Sequence, residues 1–203
     1  PIGNSKIIQA PFISQLGKYP TGCESVTTVM ALNHIGIDVS VDKFIDSYLT
    51  KTGVPFDPSI SFGGNPRSTS GYGCYAPVIK KALDKALSGK NYEAKVLNNV
   101  SLKTLCSQYI DKGIPVILWA TMYMNTPYIS STWTYNGKTI NWIAPEHCLL
   151  LVGYDSSHYI FNDPLTSHPQ TYYSKSSVEA AYKGLNYQAI VLEKKDTSTP
   201  APT

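Results

Sequence analysis

The stretch from His147 to Asp163 constrains the fold more than any other part of the chain. It reads as two strands, HCLLLVGY and SHYIFND, folded about a tight turn at Asp155-Ser156. Its core, Cys148 to Gly153, is the longest apolar run present. That run is strand-sized and far short of the roughly 18 residues a membrane-spanning helix needs. A hairpin returns its far end beside its start, so His147 is expected next to Asn162-Asp163. Other strands follow from the same kind of pattern. Ile114 to Thr121 reads as a buried strand, Tyr92 to Leu97 as a short one, Tyr187 to Glu193 as the last, and Ser131 to Ile143 as a hairpin turned by Asn136-Gly137.

Helical spacing dominates earlier in the chain. Val26, Val29 and Met30 place a helix over Cys23 to Ile35, stopped by Gly36, with Thr21 or Gly22 near its N-cap. Ser40 caps a second helix that carries Phe44, Ile45, Tyr48 and Leu49. Pro77 to Leu87 and Ser101 to Lys112 read as two more, and Ser176 or Ser177 is expected to cap a helix through Tyr182. Lys6 to Ser14 is an extended edge segment, and Gln15 to Gly22 a loop with Gly17, Pro20 and Gly22. Thr50 to Tyr75 is irregular and rich in Gly, Pro and Ser, the kind of long loop that is usually functional or mobile. Helices lie mainly in the first half and strands in the second. The expected class is therefore α+β, a helical N-terminal half packed on a C-terminal antiparallel sheet.

The chain of 203 residues fits one domain, taken as residues 1–193, followed by a Thr/Pro tail or linker, KKDTSTPAPT, over 194–203. With no initiator Met and no signal peptide at Pro1, it reads as a mature or trimmed piece. Charged residues are only 15% of the chain and the net charge is +3, with the basic residues scattered, so nucleic-acid binding is not expected. Of the four cysteines, Cys106 and Cys148 read as buried packing thiols, while Cys74 is unassigned and a single disulfide stays open. No CxxC pair and no histidine–carboxylate spacing forms a zinc motif.

Two residues carry candidate chemistry. Cys23 opens the first strong helix, where unpaired N–H groups and the helix dipole lower a thiol's pKa, and Gly22 clears space for a substrate backbone. His147 stands at the start of the buried strand, held by a rigid element. Asn162 or Asp163 at the hairpin's far end then accepts the outer imidazole proton and fixes the ring. Adjacent strand residues point to opposite faces, so only one of the two serves.

The segments PFISQ…YPTGCESVTTVMALNHIG, GYGCYAPVI, PEHCLLLVGYD and YIFNDP resemble the C39-like peptidases of bacteria, relatives of the bacteriocin-processing peptidases within the papain-like superfamily. The similarity runs from about Pro11 to Glu193. It implies a papain-like cysteine proteinase fold and a thiol peptidase with Cys23 as nucleophile, His147 as base and Gln15 as oxyanion donor. The family's D-P position falls on Asp163 as the third member, although papain itself uses an Asn there, as at Asn162. The interval of eight residues from Gln15 to Cys23 is longer than in papain or the transporter-fused C39 peptidases. No cofactor or metal is implied. The expected partner is a peptide or protein substrate such as a leader, Gly-rich or cell-wall peptide, with no membrane insertion and a monomer as the simplest state. Low charge, the Thr/Pro tail and the family's usual setting point to a secreted or cell-surface bacterial protein.

The remaining polar residues read as structural: His34 as surface or packing, His158 and His168 as turn-flanking, and Glu24 as a first-turn charge favoured by the helix dipole. Glu146 lies beside the base. Trp119 reads as core, whereas Tyr123, Trp133 and Trp142 are open to a role in a substrate groove. Two other functions compete with hydrolysis, acyl transfer to an amine and a catalytically silent peptide-binding module.

Overall fold

The computed structural model describes residues 5–196. In chain order it contains β1 (Lys6–Ile7), α1 (Cys23–His34), α2 (Val41–Ser47), β2 (Lys51–Thr52), β3 (Phe62–Gly63), α3 (Ala76–Ala86), β4 (Tyr92–Asn98), α4 (Leu102–Gln108) and β5 (Val116–Thr121). These are followed by β6 (Tyr128–Tyr135), β7 (Lys138–Ala144), β8 (Glu146–Tyr154), β9 (His158–Asn162), β10 (Thr171–Ser174), α5 (Lys175–Gly184) and β11 (Gln188–Lys194).

The main sheet runs β10-β9-β8-β5-β11-β4, with β1 added against the end of β8, and every pairing in it is antiparallel. Every residue of β5 and β8 is buried, so the centre of the sheet is covered on both faces. Helix α1 packs on β8 and β5, α3 on β4 and β11, and α5 on β5, β9 and β10. The class is α+β, as expected. The hairpin β6–β7 stands off this sheet as a separate ribbon. Its turn takes positive φ at both Asn136 and Gly137, the geometry an Asn-Gly hairpin turn requires.

Local differences from the expected elements have physical causes. The helix expected over Ser101 to Lys112 stops at Gln108 and continues as a 3-10 turn over Ile110–Lys112, ended by Gly113 in the left-handed region. The last helix is capped by Ser174 rather than by Ser176 or Ser177. A strand, β10, runs into that cap and pairs with β9, a short segment that hydrophobic alternation did not announce. Strand β11 extends to Lys194, opposite Tyr92, and Lys195 N–H still donates to Asn91, so regular pairing reaches into the segment read as a tail. Residues 197–203 of that tail lie outside the described residues.

The long loop between α2 and α3 is ordered by aromatic packing. Phe56 stacks on Trp133 and Tyr75 on Trp142, with Tyr72 edge-on to both tryptophans. Trp133 Nε1 donates to Phe56 O at 2.7 Å, and Lys138 pairs with the buried Asp57. The loop and the β6–β7 ribbon therefore hold each other.

Gly153 fits where β1 crosses β8: a Cβ there would lie 2.4 Å from Lys6 O. Gly153→Ala is expected to lower stability by about 1–3 kcal/mol through overpacking. Urea unfolding checks this, with faster protease cleavage near Lys6 as the local readout.

Candidate active site

The β8–β9 hairpin places His147 and Asp163 together. His147 Nε2 lies 2.7 Å from Asp163 Oδ1, with both side chains wholly buried. Asp163 also accepts the Tyr173 hydroxyl at 2.6 Å and the Leu165 N–H at 3.0 Å. Burial alone would raise the Asp163 carboxyl. The hydrogen bonds from His147, Tyr173 and Leu165 outweigh it and hold that pKa below the usual aspartate value. Asp163 is thus a carboxylate, and the imidazole proton resides on Nε2. The other ring nitrogen, Nδ1, is buried and has no partner. Asn162 does not reach His147: its amide donates to Ala10 O and Pro11 O and accepts from Gln170 N–H, pinning the N-terminal segment to β9.

Cys23 is the first residue of α1, capped by Gly22 with no side-chain cap. At Gly22 a Cβ would come within 2.9 Å of Tyr19, so the loop closes tightly ahead of the helix. The first N–H groups of a helix have no partner within it, so the Cys23 N–H is available to a ligand. The Cys23 thiol rests beside the N–H of Cys148, the peptide bond that joins Cys148 to His147. The thiol thus lies next to the backbone that carries His147, and no hydrogen bond links the two side chains.

The thiol's electrostatics differ from the expected helix-terminus effect. Burial, followed by the charges of Glu24 and Glu146, pushes its pKa well above the ordinary cysteine value. Glu24 is not a solvated first-turn charge. It is buried, accepts the Cys74 N–H at 3.0 Å, and lies against Glu146. The Cys23 sulfur and one oxygen of each carboxylate lie within 4.8 Å of one another. Burial raises the Glu24 carboxyl, and burial together with Glu24 raises Glu146 well above the usual range. Nothing in the sequence announced this pair, because Glu24 and Glu146 are 122 positions apart.

Gln15 is buried at the start of the loop before α1. Its Nε2 donates to Tyr19 O and Pro20 O, both at 3.1 Å, and its Oε1 has no partner. Both amide hydrogens therefore hold the Gln15–Gly22 loop in this structure. Trp119 is core, wholly buried, and donates to Cys74 O. Trp142 and Tyr72, with Thr21, Met122, Pro145 and Glu146, line a cleft of about 340 Å³. Tyr123 is exposed, and Trp133 belongs to the aromatic stack below the cleft. A larger concavity of about 670 Å³ at the far end of α1, between His34 and Lys112, holds no nucleophile. All four cysteines are buried free thiols.

Comparison with known proteins gives the family and the fold. The model of the Peptidase_C39 like family matches residues 7–190. The chain belongs to that family. It is 27% identical over 181 residues to the uncharacterized protein YvpB of Bacillus subtilis, covering 85% of this chain and 69% of YvpB. A C39-like peptidase from Bacillus anthracis superposes with a TM-score of 0.82 at 29% identity, over 95% of this chain and 99% of that one. The peptidase domain of Streptococcus ComA, a bifunctional ABC transporter involved in quorum sensing, gives 0.55 at 16% identity over 92% and 100%. A cysteine protease from Carica candamarcensis gives 0.51 at 12% over 96% and 100%. These last two show the fold alone, and that fold is papain-like.

The two kinds of carboxyl make opposite pH predictions. Asp163 has a lowered folded pKa, so its stabilisation is present above the unfolded aspartate value and is lost as pH falls through the folded one. Asp163→Asn should therefore lower the melting temperature at neutral pH, with the gap closing in acid. Glu146 has a raised folded pKa, so its stability is full below the unfolded glutamate value and is lost as pH rises through the folded one. Glu146→Gln should match the parent near pH 4 and melt higher than it in alkali, as thermal unfolding across pH will test.

Proposed function

We propose that this C39-like protein is a thiol peptidase in which Cys23 attacks a peptide carbonyl, His147 is the base and Asp163 orients it. The observation that carries the reading is the buried Nε2–Asp163 bond, which leaves Nδ1 as an unpartnered base next to the peptide bond behind the thiol. Burial and the neighbouring carboxyls raise the thiol pKa, and His147 is assigned as the general base that takes its proton.

The Cys23 proton passes to His147 Nδ1 while sulfur bonds to the carbonyl carbon, and the carbonyl π pair moves onto oxygen. The Cys23 N–H meets that oxyanion, and a single preorganised donor of this kind contributes about 3–4 kcal/mol. Gln15 joins by turning one amide hydrogen from Tyr19 O or Pro20 O to the oxyanion. His147 then protonates the leaving amine as the C–N bond breaks, giving a thioester. Water, deprotonated by the same nitrogen, releases the acid and returns the proton to sulfur.

The substrate is a peptide or protein. One structural neighbour at 13% identity, a double glycine motif protease from an AMS/PCAT transporter, was solved with its leader peptide. A secreted or cell-surface setting goes with this reading as part of the proposal.

Treatment with iodoacetamide or E-64, followed by peptide mapping, tests it. Cys23 should be modified ahead of Cys74, Cys106 and Cys148, and the preference should disappear in His147→Ala. Equal, slow labelling of all four cysteines would contradict the assignment. Asp163→Ala should lower kcat/KM by a factor on the order of 10² or more, because the imidazole loses its fixed tautomer.

A further inference from the structure

Glu24 and Glu146 are not used by the mechanism above, yet they sit against its nucleophile. Two like carboxyls in contact cannot both ionise without a counter-charge. None is present: among the described residues no Lys, Arg or His forms an ion pair with either. Glu24 is 1% and Glu146 5% exposed, and each keeps one oxygen, Glu24 Oε2 and Glu146 Oε1, without any partner. A buried acceptor left unpaired costs about 1–3 kcal/mol, so an occupant that donates to both would be bound strongly.

Access and surroundings favour a cation. Glu146 lines the 340 Å³ cleft together with Tyr72 and Trp142, whose ring faces attract cations. At Gly73 the missing side chain leaves room for the pair, since a Cβ there would lie 2.5 Å from Glu146 Oε2 and 2.6 Å from Glu24 Oε1.

Building on the peptidase reading, we propose that the Glu24–Glu146 pair is the subsite for the free N-terminal ammonium of a peptide substrate, so that the enzyme removes residues from unblocked N-termini. Distance selects the α-amine. The carboxylate oxygens lie within 4.8 Å of the Cys23 sulfur. Within a residue, the α-nitrogen is roughly 2.5 Å from its own carbonyl carbon, from standard backbone dimensions. With sulfur about 3–3.5 Å from that carbon and the ammonium about 2.9 Å from each oxygen, an α-ammonium closes the triangle. A lysine ε-amine, on four further rotatable carbons, reaches the same point only by folding back.

The occupant has a second effect. An ammonium on the pair offsets the negative charge that adds to burial in raising the thiol pKa, so binding of the correct substrate also eases proton transfer from Cys23 to His147.

The test has two arms, read separately. In the first, Cys23 is modified by 2-aminoethyl methanethiosulfonate and by its neutral propyl counterpart, each rate divided by that of a free small thiol and read by mass spectrometry. A preference for the cation of about tenfold or more is expected, within what one charge pair supplies at partial screening. It should fall to near unity in Glu24→Gln and Glu146→Gln, with circular dichroism confirming that both variants fold. This arm needs no turnover, so it reads the subsite even if no peptide is hydrolysed, an outcome that would count against the peptidase reading alone.

In the second arm, free and N-acetylated forms of the same peptides are compared. The free forms should be cleaved with at least tenfold higher kcat/KM, releasing the first residue. Equal reaction with both thiosulfonates, or a cation preference that survives both Gln variants, overturns the proposal. So does equal cleavage of acetylated peptides. Slowing of Cys23 modification by Zn2+ without any amine preference would make the pair a metal site and likewise overturn it.

Discussion

The bond between His147 and Asp163 depends on the register of one hairpin. Leu150 faces Asn162 and Leu151 faces Phe161 across β8 and β9, and the carboxyl one residue beyond the strand then meets the imidazole at the start of β8. A slip of one residue would turn both side chains to the wrong face. That register is fixed by the burial of every residue of β8 between β5 and β9 and beneath α1. The same packing brings the first turn of α1 against the Cys148 peptide bond, with Thr27 Oγ1 donating to Cys148 O at 3.0 Å. One strand thus locates both His147 and the helix that carries Cys23.

Much of this was legible in the chain, and the reasons are physical. The apolar run after His147 could only be a buried strand, and a tight turn at Asp155-Ser156 had to return the chain beside its start. Val26, Val29 and Met30 named the buried face of α1, and Gly36 its end. The choice between Asn162 and Asp163 was not open to pattern reasoning, because it depends on which neighbour faces the ring. The structure brings Asp163 there and uses Asn162 to anchor Ala10 and Pro11. The break after Gln108 and the strand before Ser174 were illegible for a different reason. Both are decided by tertiary pairing, not by the local alternation of residues.

The electrostatics of the thiol were the least legible feature. Position at a helix start argues for a low pKa, and the dipole does act there. Its contribution is small beside complete burial and two carboxyls within 4.8 Å. Glu24 looked like an ordinary first-turn acid because the strand that buries it lies more than a hundred residues downstream. The site therefore gathers a buried thiol whose pKa is raised, an imidazole held by Asp163 with Nδ1 unpartnered, and a buried pair of carboxyls.

The central claim is that Cys23 forms a covalent acyl intermediate with His147 as its base. Acid-quenched intact-mass spectrometry during turnover of an activated peptide ester tests it most directly. The account predicts a thioester adduct on Cys23 that builds in a burst, hydrolyses with time, and fails to accumulate in His147→Ala. An adduct on Cys74 or Cys148 instead, or one on Cys23 that forms at the same rate without His147, would contradict it.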